Sequence, residues 1–142
     1  MILLKNFPLL LLPLLAYNAY NPGMFALPAP LGEQGQIWSQ AIASFSMLSG
    51  TTFIFTRGEL VVILALFLLF IEILKATRTA RATIIDHLFS TLVFVAYLVQ
   101  FLVDPAAATF TFFACMLIAF LDVVAGYSIS IRVAARDVTF GG

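Results

Sequence analysis

Few residues of this chain carry charge, and the informative ones stand inside apolar runs. Asp122 is the sole charge in "FTFFACMLIAFLDVVAGYSISI", residues 110–131. Glu72 interrupts "LLFIEILK", and Asp86 and His87 sit side by side in "TIIDHLFS". A carboxyl or imidazole at bilayer depth takes up a proton or a cation, and such residues commonly mark pathways. Counted from Ile131, Asp122 lies about 13 Å inside its helix, where a bare charge costs about 2.5–3.5 kcal/mol.

Two readings of these groups compete. In the leading one, Asp122 is hydrogen-bonding glue between helices and the more superficial Glu72 and Asp86 pair with nearby cations. In the alternative, Asp122 is a proton or cation station with Glu72 and His87 near its inner mouth. His87 is the only histidine, so a third reading makes it an axial ligand for haem or a pigment. A metal site normally needs more ligands than one, and the favoured expectation is an interfacial histidine bonded to Asp86 or a carbonyl. No cofactor is identified.

The spacing of small and polar residues says which helix faces meet. Cys115, Ala119, Asp122, Gly126 and Ser130 recur every three or four positions, which is one face of a helix. Gly126 and Ser130 form a small-xxx-small pair that admits a close neighbour. Phe112, Phe113, Leu117, Phe120 and Val124 fall on the remaining faces. A matching stripe, Asp86, Ser90, Val93, Tyr97 and Gln100, runs along the preceding segment. Antiparallel packing would set Asp122 level with Ser90, Thr91 and Phe94.

Three segments must position these side chains, at residues 59–77, 83–103 and 105–131, each about long enough to cross a bilayer. Asp104 and Pro105 carry a helix-start signature, so the last two segments form a hairpin. Residues 1–21 are read as a short, tilted first span kinked by Pro8 and Pro13. A cleaved signal is disfavoured because Leu14 or Tyr17 would occupy the −3 position. A surface-lying segment, or a start at Met24, would leave three spans. Residues 22–58 form a connector in which "QIWSQAIASFSML" is expected to be an interfacial amphipathic helix near 36–48, with Trp38 at headgroup depth.

Composition frames all of this. Of 142 residues, 63% are hydrophobic and 10% charged, with fifteen phenylalanines. A soluble domain of this size could not hide so much apolar surface. Formal net charge is zero, and no basic block gives a nucleic-acid footprint. The single Cys115 rules out an internal disulfide and a cysteine metal site. No phosphate loop, H-E-x-x-H or nucleophile elbow occurs, so catalysis is not expected. Lys75, Arg78 and Arg81 cluster after one span and Arg132 and Arg136 after another. All five act as interfacial anchors on the cytoplasmic side, which puts both termini of a four-span chain inside and residues 132–142 in a cytoplasmic tail.

The expectation is an all-α integral membrane protein, a bundle of three to four transmembrane helices in a membrane of the bacterial inner type. Its expected role is a small accessory or assembly subunit. Its partners are the lipid bilayer and either other membrane subunits or further copies of itself.

Overall fold

A computed structural model describes residues 7–20, 36–77 and 80–140, with the side chains of 80–84, 133 and 136–140 outside that description. Lys5, Arg78, the side chains of Arg81 and Arg136, and the connector up to residue 35 therefore lie outside it.

Helix α1 covers Leu11–Tyr20 and a single turn, α2, covers Gln36–Ser39. Strands β1 (Ala41–Ser46) and β2 (Thr52–Thr56) follow, then helices α3 (Arg57–Ala76), α4 (Ala80–Val103) and α5 (Phe110–Phe140). The chain is mostly helical, but the all-α expectation is corrected by this small sheet.

The sheet replaces the amphipathic helix expected near residues 36–48, which stops at Ser39. Residues 52–56 read Thr-Phe-Ile-Phe-Thr, a run of β-branched and aromatic side chains that favours a pleated backbone. They pair antiparallel with β1: Phe45 opposes Phe53, Ser44 opposes Ile54, and Ala43 opposes Phe55. Gly50, at φ +82°, supplies the left-handed residue of the turn. Long-range pairing thus overrides a short apolar periodicity that fitted a helix equally well.

β2 runs into α3 without a linker. Thr56 closes a reciprocal cap: its N–H donates to Glu59 Oε2 at 2.7 Å while Glu59 N–H donates to the Thr56 hydroxyl at 3.3 Å. At the other turn, the Asp104 carboxylate accepts from Ala106 N–H at 2.9 Å and starts only a 3-10 turn, Pro105–Ala107. The last helix therefore begins at Phe110, not at Pro105, with the Thr109 hydroxyl accepting from Phe112 N–H at 3.2 Å. It continues to Phe140, so the segment expected as a tail after Ile131 is helical for most of its length.

α4 and α5 pack antiparallel along their length, and α3 lies against α5. The α5 stripe faces inward as its spacing requires: Cys115, Ala119, Asp122 and Gly126 are buried. Phe112 joins them, fully buried, by extending the same stripe one turn outward. On α4 the inward line is His87, Ser90, Val93, Tyr97 and Gln100; Asp86, expected there, is half-buried beside it.

Polarity is arranged inside out. Glu72, His87, Ser90, Gln100, Thr111 and Asp122 are buried, while Phe67, Phe70, Leu88, Leu92, Leu117 and Phe120 are exposed. Among the described residues, two segments, Ile85–Val103 and Phe110–Arg132, are long and apolar enough to cross a membrane. α3 is equally apolar from Leu60 to Ile71, but Arg57, Glu59, Glu72 and Lys75 mark its two ends.

Candidate functional site

The buried polar groups gather at two levels. The inner level begins on α3, where Glu72 and Lys75 stand one turn apart and pair at 2.9 Å. Lys75 Nζ also donates to the carbonyl of Phe7 at 3.0 Å. The second carboxylate oxygen of Glu72 accepts the backbone N–H of Leu9. The start of the described chain is thus tied to the C-terminal end of α3.

α4 contributes Asp86, His87 and Ser90. Imidazole Nε2 of His87 lies 2.6 Å from the Ser130 hydroxyl, and that hydroxyl lies 3.0 Å from the carbonyl of Gly126, to which it donates. With its single proton used there, Ser130 accepts from His87 Nε2–H, which leaves Nδ1 as the unprotonated nitrogen. The ring rests directly on Gly126; a Cβ at that position would overlap Nδ1 and Cε1. The Tyr127 ring flanks it at 5.5 Å between centroids.

Asp122 is 6% exposed and stands beside Ser90, whose hydroxyl faces its carboxyl. The level predicted from the antiparallel register is the observed one. Glu72 and Lys75 lie within electrostatic range of Asp122, and Asp86 feels Lys75, Glu72 and His87. Residues from three helices therefore make one electrostatic group. One Asp86 oxygen, Oδ1, is enclosed without a hydrogen-bond partner among the described residues.

For ligand chemistry, His87 is the test. It is 5% exposed, with one nitrogen on Ser130 and the other against Gly126. An iron or magnesium ion would have to displace one of them to reach about 2 Å from nitrogen. Among the described residues, no three His, Cys, Asp or Glu side chains are grouped to hold a metal ion.

Of the outer level, the sequence offered Tyr97 and Gln100 on the α4 stripe but not their partners. Tyr17 is fully buried; its hydroxyl donates to the carbonyl of Ala106 at 2.8 Å and meets Thr109 Oγ1 at 2.7 Å. Asn18 and Gln100 exchange reciprocal amide bonds of 3.0 and 2.6 Å, and Gln100 Nε2 also donates to Asp104 at 3.1 Å. Tyr97 donates to the carbonyl of Leu10 at 3.2 Å. The signal was the polar "YN" pair within an apolar run.

Trp38, read as a headgroup-level anchor, is instead enclosed in protein. Its indole stacks on Tyr17 with centroids 4.6 Å apart and planes at 11°. Arg132, expected to be an interfacial anchor, is exposed.

No family model, curated protein or solved structure matches this chain. The functional reading rests on the geometry alone.

Proposed function

We propose that this chain is a small accessory or assembly subunit of a larger membrane protein complex, contributing packing surface rather than catalysis. The observation that carries the reading is the inside-out arrangement. Glu72 meets Lys75 and Leu9, His87 meets Ser130, and Asp122 meets Ser90, so these polar groups are mated within the chain. The outward surface is left aromatic and aliphatic, as lipid and other apolar helices require.

In this proposal α3, α4 and α5 each cross the bilayer, and residues 7–20 cross beside them. The latter run from Glu72 and Lys75 at one end to Ala106 and Thr109 at the other. Lys75 and Arg132 then mark the cytoplasmic side of a membrane of the bacterial inner type and Arg57 the opposite side. α1 itself is ten residues, about 15 Å, and Phe7 to Leu10 supply the remaining reach.

A second reading has one observation in its favour. The Asp122 carboxylate sits deep in the bundle with a neutral hydrogen-bond partner, Ser90, as a proton or cation station would. The deciding experiment is purification of the tagged chain from its native membrane in mild detergent. Larger subunits in fixed stoichiometry support the accessory role. A homo-oligomer without partners, whose cation flux in liposomes disappears with Asp122→Asn, would replace it with the carrier.

A further inference from the structure

The hairpin does not stand clear of the bundle. It leans beside α3, and between them lies a cavity of about 650 Å³, within the roughly 300–1,000 Å³ range of small-ligand sites. Phe53 and Phe55 of β2 form one wall, Val62 and Ile63 of α3 the other, and Phe110 of α5 the end. We propose that this cavity is a binding site for the acyl chain of a bilayer lipid.

The lining fixes the chemistry. Glu59 is the charged side chain on the wall, and its carboxylate already accepts from the Thr56 N–H and hydroxyl. An anionic ligand would lose its hydration and meet only that carboxylate, whereas an alkyl chain loses nothing there. One polar group stands ready at the base. Thr111 is 7% exposed and lines the cavity. It faces Gly58, where a Cβ would overlap Thr111 Oγ1 and approach the carbonyl of Trp38 to 3.0 Å. An ester carbonyl is the acceptor that a hydroxyl in this position suits.

The mouth points to the bilayer as the source. Ile63 is 41% exposed and Phe110 80%. Ile63, Phe67 and Phe70 are spaced by four and three residues, so the opening continues into the outward apolar face of α3. A chain sliding from that face into the cavity never leaves apolar surroundings. The proposal rests on the membrane placement given above, not on the accessory role.

Trp38 is the only tryptophan of the chain and lines the cavity, so its fluorescence reads occupancy. The full chain is reconstituted into phosphatidylcholine vesicles with plain or dibrominated acyl chains, and vesicle flotation establishes insertion first. Because bromine quenches indole fluorescence at short range, Trp38 emission, excited where tyrosine does not absorb, is expected to be about twofold lower in the brominated vesicles. Ile63→Tyr fills the mouth and is expected to restore most of the emission, and Ile63→Phe part of it. Leu66→Tyr, on the outward face away from the cavity, is expected to stay quenched.

Equal emission of the inserted wild type in both vesicles overturns the site. So does quenching that both Ile63 variants leave unchanged, since contact would then come from elsewhere. A chain that fails to float with vesicles sinks the membrane placement and the lipid site with it.

Discussion

The Nδ1–Cε1 edge of the His87 imidazole abuts Gly126, with no room for a side chain between them. That contact joins α4 to α5. It also explains why the glycine sits four residues before Ser130: the same turn offers both the gap for the ring and the hydroxyl that bonds it.

Gly126→Ala is therefore expected to destabilise the bundle by about 1–3 kcal/mol, the range for overpacking a filled interior. Thermal unfolding in detergent measures it. His87→Ala in the same chain should recover part of the loss. Two costs that simply add would show that ring and glycine are not in contact.

His87→Ala alone separates packing from ligation. With its nitrogens on Ser130 and against Gly126, removal of the ring is expected to leave the visible spectrum of protein from native membranes unchanged. An absorption band that vanishes with the mutation would establish a bound haem or pigment.

Asp122→Asn keeps a side-chain oxygen for Ser90. Interhelical polar contacts average about 0.6 kcal/mol, and the variant is expected to fall within about that much of wild type in melting and to assemble normally. Asp122→Leu leaves Ser90 unpaired and is expected to cost more. Inverted order in the two melting shifts would count against the hydrogen-bonding role.

Glu72 fastens the N-terminal segment. Glu72→Ala removes the acceptor of the Leu9 N–H and the partner of Lys75. Leaving a buried amide without its partner costs about 1–3 kcal/mol, so exchange of the Leu9 amide is expected to quicken by about tenfold or more. Hydrogen–deuterium exchange of residues 7–20 reads this directly. Unchanged protection would mean that other contacts hold the segment.

Tyr17→Phe tests the outer level. The change strips a hydrogen bond from the Ala106 carbonyl and from Thr109, at an expected cost of about 1–3 kcal/mol. The ring itself keeps its stacking on Trp38, so the indole emission maximum should stay where it is while the melting temperature falls. A red-shifted emission would show that α1 had come away altogether.

Much of the helical part was legible in the residues because lipid-length apolar runs and a three-four spacing of small residues leave little choice. Cys115, Ala119 and Asp122 face inward for that reason, and the Asp104 turn alone sets Asp122 opposite Ser90. Helical phase was harder. Asp86 and His87 are neighbours about 100° apart on α4, and only the gap at Gly126 on another helix decides that His87 turns inward. The hairpin was out of reach of local spacing, since Phe45 becomes a strand residue through Phe53, eight positions on. Tyr17 and Asn18 acquire meaning only once Ala106 and Gln100, from distant parts of the chain, are brought to them.

Thr56 belongs at once to the last rung of the sheet, opposite Ala41, and to the cap of α3. No joint separates the two elements. The position of the sheet's last rung is thereby tied to the first turn of α3, where Gly58 touches Thr111 in the first turn of α5.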